Sequence, residues 1–203
     1  MGNPGSQSGL ENRGLRRAVT LVGMLNLAYF GVEFTVATSI GSVSLFADSV
    51  DFLEDASVNF LILIALTWAV RTRAKIGMLL ALILLVPGLA TVWTAWDKFF
   101  EPVAPEPFTL SIAGAGALGV NLFCAFLLSS YRQHSGSLTR AAFLSARNDA
   151  VANVAIIAAG LVTAFAWRSA WPDLIVGVAI AVLNADAARE VWTAAQAERR
   201  AAA

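Results

Sequence analysis

The stretch SLFADSVDFLEDASVNFLILIALTWAV, residues 44–70, is long and apolar enough to cross a membrane as a helix, yet it carries four carboxylates. At about 1.5 Å of rise per residue, roughly 20 residues span the hydrocarbon core of a bilayer. Lipid offers the backbone no hydrogen bonds, so a spanning segment of this kind must be helical. Ionisable side chains inside such a helix are energetically costly, and function is expected where they lie.

Five further apolar stretches lie at 16–38, 76–100, 108–132, 139–167 and 171–194, joined by short connectors with glycine, proline or charges. Of the 203 residues, 58% are hydrophobic and 14% charged, and the mean hydropathy is +0.68. A water-soluble globule of this composition would lack the polar residues to cover its surface. We therefore predict an all-α membrane protein with six transmembrane helices.

Basic residues fall mainly on one side of the predicted membrane, with only Lys98 and Arg168 on the other. The basic side contains Arg13, Arg16, Arg17, Arg71, Arg73, Lys75, Arg132, Arg140, Arg199 and Arg200. The positive-inside rule places both termini in the cytoplasm. An even number of spans likewise requires the two termini to lie on the same side of the membrane. The predicted organisation is a disordered cytoplasmic tail over 1–14, one transmembrane domain over 15–196 and a short cytoplasmic tail over 197–203.

Charge and cysteine content narrow the possible partners. The formal net charge is zero, so the chain lacks the basic excess that nucleic-acid binding needs, and no nucleic-acid partner is expected. Cys124 is the only cysteine and lies in an apolar run, which is typical of a small buried hydrophobic residue and rules out a disulfide within the chain. His134, the only histidine, falls in a connector and is expected to be solvated.

Two carboxylates share one face of the second predicted helix. Asp51, Asp55 and Asn59 follow one another at four-residue steps, which stacks their side chains on the same side of a helix. Two like charges at this spacing repel, and burial penalises them further. An Asp51/Asp55 pair in lipid is therefore expected to hold at least one proton or a cation.

The fifth predicted helix repeats this pattern with Ser145, Asp149 and Asn153. If the two helices touch, four to six oxygens converge, and an oxygen-only site favours hard or borderline divalent cations over tightly held zinc. The alternative is that these polar side chains form interhelical hydrogen bonds. Three aspartates favour the ion site, because neutral side chains would make such bonds with less loss of solvation.

Other charged residues near the polar faces of the second and fifth predicted helices are expected to have different roles. Asp48 lies near the start of its helix, where capping of backbone amides is expected. Glu54 lies beside the Asp51/Asp55 face. Arg147 points away from Asp149 and is expected to pair with an acid or to reach the cytoplasmic interface. Glu33 in the first helix is one possible partner for Arg147.

Several stretches together resemble one known family, the cation diffusion facilitators, which are proton-coupled exporters of divalent metals. They are Gly41-Ser42 followed by Asp51-x-x-x-Asp55, the end of the third helix at Trp96-Asp97-Lys98-Phe99-Phe100-Glu101-Pro102, Ser145-x-x-x-Asp149, and Pro172-Asp173 followed by Gly177. The resemblance runs nearly end to end, and the six-helix plan with cytoplasmic termini agrees with it.

The resemblance implies a metal site formed by Asp51, Asp55, Ser145 and Asp149, two residues from each of two helices. Many family members have histidine where this chain has Ser145. Asn148 and Asn153 are possible substitute oxygen ligands. Glu54 and Asp48 would then lie beside the site without binding the metal.

The resemblance also implies an activity: export of a divalent cation of the Zn, Co, Fe or Mn class from the cytoplasm by proton antiport, in a bacterial plasma membrane. The metal is the transported substrate, and no prosthetic group is expected. Family members commonly continue into a cytoplasmic domain that this sequence does not include, and a homodimer is expected. A non-transporting membrane partner or metal sensor is the alternative. An intramembrane enzyme is disfavoured, because no nucleophile has an adjacent base and no phosphate-binding glycine loop occurs.

Overall fold

The computed structural model describes residues 4–65, 89–129 and 137–183. These ranges form six helices and confirm the all-α class. The helices are α1 (Pro4–Ile40), α2 (Val43–Ala65), α3 (89–100), α4 (Pro107–Ser129), α5 (Ser137–Phe165) and α6 (Trp171–Leu183). The parts of the predicted spans that fall in 66–88, 130–136 and 184–194 lie outside the described residues, as do His134 and the predicted tail at 197–203.

Helix α1 begins at Pro4, within the segment for which the sequence predicts a disordered tail over 1–14. Proline suits the first turn of a helix, because the amide hydrogen that it lacks would have no partner there. The good helix formers Gln7, Leu10 and Glu11 follow, and the helix continues without a break into its apolar part.

Three of the described helices are long and apolar enough to cross a membrane: Arg13–Ile40, Pro107–Ser129 and Ser145–Phe165. Large apolar side chains point outward from them, as at Phe126, which is 72% exposed, and Phe165, which is 78% exposed. Such a surface is suited to lipid. The chain is therefore an integral membrane protein, in which α2 differs from the equally long α4 chiefly by its four acids.

A tight turn folds α2 back along α1. Gly41 has a φ of +63°, a conformation that glycine adopts without strain, and the amide of Ser42 donates to the carbonyl of Ala37 at 2.9 Å in a helix-ending motif. Ser42 also caps α2, since its Oγ accepts from the amide of Leu45 at 3.1 Å.

The helices pack around two apolar clusters. α1 lies against α2 and α4, and α5 lies against α4 and α2. One cluster includes Val19, Cys124 and Leu128, and the other includes Ala37, Leu110 and Ile156. Along α1, the buried polar residues Asn26 and Glu33 fall between the two clusters. The bundle therefore has a polar layer enclosed between two apolar layers.

Candidate metal centre

A cavity of about 210 Å³ opens between α2, α5 and α6. Its lining contains the four residues that the family resemblance implies as metal ligands, two further polar residues and three apolar ones. They are Asp51, Glu54, Asp55, Ser145, Asn148, Asp149, Ala152, Ile180 and Leu183. We refer to it as the site cavity. The predicted polar faces of α2 and α5 thus meet, although about 90 residues separate them in the chain.

Asp55 is held from two sides. Its Oδ1 accepts a hydrogen bond from Ser145 Oγ of α5 at 2.9 Å, and its Oδ2 accepts one from Asn26 Nδ2 of α1 at 3.4 Å. The Asn26 Oδ1 in turn accepts from the thiol of Cys124 on α4 at 3.6 Å. A chain of contacts through four helices therefore fixes the orientation of this carboxylate.

Asp149 lies within hydrogen-bonding reach of Asp55. Two carboxyl groups can form such a bond only when one of them carries a proton. Asp51 is partly buried and lines the same cavity. Within the described part of the chain, no three His, Cys, Asp or Glu side chains are close enough together to hold a metal ion. Binding a cation in the site cavity would therefore require these acids to draw together.

The other polar residues considered from the sequence lie either in the wall of the site cavity or outside it. Asn148 lines the site cavity and its Oδ1 accepts from the guanidinium of Arg147 at 3.3 Å. Asn153 is fully buried and does not line the site cavity. Its side-chain Nδ2 donates to the backbone carbonyl of Asp149 at 2.6 Å. Arg147 is exposed. Glu54 lies in the cavity wall with the ligand candidates.

The prediction that Asp48 caps α2 is wrong. α2 begins at Val43, so Asp48 lies in its second turn, beyond the free amides of the helix end. Its carboxyl group instead faces Glu33 of α1. Glu33 is fully buried whereas Arg147 is exposed, so the ion pair considered between those two residues does not form.

The free amides at the start of α2 are capped by Asp173 of α6 as well as by Ser42. Its carboxylate accepts from the amides of Val43 at 2.9 Å and Ser44 at 3.1 Å. The hydroxyls of Ser42 and Ser44 each donate to it at 2.6 Å, and Lys98 of α3 forms a buried ion pair with it at 3.0 Å.

Lys98 also donates to the carbonyl of Gly41. We call Ser42, Val43, Ser44, Lys98 and Asp173 the Asp173 cluster. Close contact of α6 with α2 depends on Gly177, since a Cβ atom there would lie 2.7 Å from Val43 Cγ1. Three helices are therefore joined at one point.

Neither Asn26 nor the role of Asp173 is predicted from the sequence. A signal for Asn26 exists, because it continues the buried stripe of Leu15, Val19 and Val22 at helical spacing. A polar residue on such a stripe must find a partner inside the bundle. Cys124 is buried, as expected, although it also serves as the donor to Asn26.

The fold and the site together define a helical membrane domain with acids gathered around an internal cavity. The family model for the cation efflux transmembrane domain matches residues 19–195. The chain is also similar to the zinc transporters ZitB of Yersinia pseudotuberculosis serotype I (strain IP32953) and Yersinia pestis. Each is 32% identical over 161 residues, covering 71% of this chain and 50% of the relative. The chain thus spans about half the length of these relatives.

The match to most of the chain establishes the family. The protein belongs to the cation diffusion facilitators and carries their cation efflux transmembrane domain.

Proposed function

We propose that this chain exports divalent metal cations from the cytoplasm in exchange for protons, across the plasma membrane of a bacterium. The observation that carries the proposal is the site cavity, where acids of α2 and α5 line one space inside a membrane protein. Membership of the cation efflux family supports it. An apolar bundle without a cation to bind would gain nothing from burying these groups.

The proposed ligands are Asp51, Asp55, Asp149 and Ser145. Three carboxylates and a hydroxyl form an oxygen-rich set, which suits Mn²⁺ and Fe²⁺ and still accepts Co²⁺ or Zn²⁺. Asn148 is placed in the same wall and could add an amide oxygen. The set contains no nitrogen or sulfur ligand, so a strong preference for zinc is not expected.

Cation and protons would compete for the same carboxylates. In a low-dielectric site, three neighbouring acids cannot all remain ionised without positive charge beside them. A divalent cation that enters supplies this charge and displaces protons. Protons arriving from the other side then neutralise the acids and release the cation. Alternation between the two states yields exchange.

Two further features belong to the proposal. The first is six transmembrane helices with both termini in the cytoplasm, supported by the side on which most basic residues fall. Protease digestion of a C-terminal tag in sealed right-side-out vesicles would test it, with protection expected. The second is a homodimer, for which light scattering in detergent should give twice the mass of the 21.4 kDa chain.

The decisive experiment is metal uptake into proteoliposomes under an imposed pH gradient, with Zn²⁺, Co²⁺, Mn²⁺ and Fe²⁺. Asp51→Ala and Asp149→Ala should abolish the gradient-driven flux. Asp97→Ala is the matched control, because Asp97 is an exposed acid on α3, and it should retain the parent flux. Equal flux in all four proteins would refute the proposed site.

The same preparations separate transport from the alternative of a non-transporting partner or sensor. Metal binding that depends on Asp51 and Asp149 without any flux would favour the alternative. A partner transporter recovered with the protein from its native membrane would then be expected.

A further inference from the structure

A second pair of acids lies beside the site cavity and has no assigned role. Glu33 on α1 and Asp48 on α2 are both completely buried, and their carboxyl groups face each other within hydrogen-bonding reach. Neither group receives a hydrogen bond from any donor in the described part of the chain. Four buried carboxyl oxygens without a donor are exceptional, because buried polar atoms almost always have a partner.

The surroundings offer this pair no positive charge. Its titratable neighbours are Tyr29 on α1, Asp51 and Asp55 on α2, and Asp149 on α5. Lys98, the one cation buried among the described residues, is bound to Asp173. The Tyr29 hydroxyl donates to the carbonyl of Ala113 at 2.7 Å and is not directed at the pair.

A proton is the ligand that fits this geometry. Two facing carboxyl groups repel when both are ionised, and they bind each other when one O–H donates to the other oxygen. A larger cation would need more oxygen ligands than the two carboxyl groups of the pair provide.

We propose that Glu33 and Asp48 form a proton-binding site, separate from the metal ligands, that releases its proton when a cation occupies the site cavity. Asp48 lies three residues before Asp51, a distance of about 4.5 Å along the helix axis. A divalent cation held by Asp51 therefore favours the ionised form of the pair through space. On release the carboxyl O–H bond breaks, the proton passes to water, and the charge of the cation balances the carboxylate that remains.

The inference rests on the proposed function, and it changes how proton release on metal binding should respond to substitutions. If only the metal ligands carried protons, every substitution that alters proton release would also weaken metal binding. A separate site allows proton release to be reduced while the ligands remain complete.

Infrared spectroscopy of the purified protein tests whether the site exists. A protonated carboxyl group has its own carbonyl band, which a carboxylate lacks. We expect this band to weaken in Glu33→Gln and in Asp48→Asn at neutral pH, and to remain unchanged in the control Asp97→Asn. In the unsubstituted protein, adding Zn²⁺ or Mn²⁺ should weaken it as well, a measurement that needs no variant to fold. An unchanged band in both variants would overturn the proposal.

Metal titration with a pH-indicator dye in weak buffer tests the coupling. Glu33→Gln should release about one proton fewer per bound metal than the parent, while its metal affinity changes by less than about tenfold. The amide introduced by Glu33→Gln can still donate an N–H to Asp48, so the contact between α1 and α2 is kept. Equal proton release in parent, Glu33→Gln and Asp48→Asn would overturn the coupling.

The two proposals fail in different ways. If the infrared carbonyl band is unchanged in Glu33→Gln and Asp48→Asn while transport is intact, only the proton site is refuted. Transport that survives Asp51→Ala and Asp149→Ala removes the proposed metal site, and absence of any flux in the parent removes the proposed function. In both cases the infrared band still decides whether the pair holds a proton.

Discussion

Two buried acidic regions of this bundle differ in how fully their oxygens are paired. The Asp173 carboxylate receives hydrogen bonds from two amides, two hydroxyls and one ammonium group. The Glu33–Asp48 pair receives none from other groups within the described residues. Asp55 in the site cavity accepts one from Asn26 and one from Ser145. The residue types are the same, but the donors around them are not.

This difference separates a structural acid from one that is free to bind. A carboxylate whose lone pairs are filled by fixed donors contributes to stability. One with unfilled oxygens must take a proton or a cation, and its occupancy can change.

Removing the carboxylate of Asp173 should damage the fold most. Asp173→Ala leaves Lys98 buried without its counter-ion and removes a cap from α2. Breaking a buried ion pair in this way costs about 3–5 kcal/mol. Chemical unfolding of the protein in detergent should show a loss of that size.

The partner substitution sharpens the result. In Lys98→Met, the four other donors to Asp173 remain, so a smaller loss of about 1–3 kcal/mol is expected. Asp97→Asn, one residue away and exposed, should leave stability unchanged. A loss in Asp173→Ala no larger than in Asp97→Asn would contradict the structural role of the Asp173 cluster.

The acids of the site cavity should show the opposite behaviour. Asp149→Asn removes one member of a group of like charges, so the free energy of unfolding should stay the same or rise by about 1 kcal/mol. Metal affinity, measured by calorimetry, should fall by about tenfold or more. If the variant lost stability as Asp173→Ala does, the distinction between the two regions would not hold.

Ser145 offers a smaller change, in selectivity. Ser145→His introduces an imidazole nitrogen beside Asp55 and Asp149, and nitrogen ligands favour Zn²⁺ over Mn²⁺. The ratio of the two affinities should shift toward Zn²⁺ by about tenfold. Ser145→Ala, which removes only the hydroxyl bonded to Asp55, serves as the control and should not shift the ratio toward Zn²⁺.

Glu106 should give the smallest effect, since it is an exposed acid. Its hydrogen bonds with Thr109 and with the amide of Phe108, at the start of α4, hold its pKa below the ordinary value of 4.5. A lowered pKa means that Glu106 stabilises the fold above pH 4.5 and that this contribution is lost as the pH falls through the lowered value.

Melting temperatures of the parent and Glu106→Gln in detergent check this. The parent should melt slightly higher at about pH 7, and the difference should shrink as the pH falls below the ordinary pKa of 4.5. A difference that grew toward acid pH would contradict the assignment of Glu106 as a helix cap.

The sequence was sufficient for much of the site. Four-residue spacing places Asp51 with Asp55, and Ser145 with Asp149, on shared helix faces wherever the helices lie. The prediction that the two faces meet in one site came from the family resemblance, because periodicity does not say which helices touch. The capping role predicted for Asp48 is wrong, since Ser42 and the distant Asp173 accept from the free amides at the start of α2.

The Asp173 cluster could not be predicted by spacing at all. Asp173 lies 75 residues from Lys98 and 129 to 131 residues from its donors on α2. Only the packing of α6 and α3 against α2 brings these groups together. Asn26 is an intermediate case, because its position on the buried stripe of α1 was visible but its partner on α2 was not.

The contact at Gly177 brings the second turn of α6 directly against the first turn of α2, and α6 can pivot about this point. Without a side chain at 177, α6 rests directly on Val43 and Ser44, while Leu183 in the cavity wall lies six residues further along. A tilt of about 10° around this point would carry Leu183 about 1.6 Å, since it lies about 9 Å away along the axis. A small tilt of α6 would therefore widen or narrow the site cavity, while the acids on α2 and α5 keep their positions.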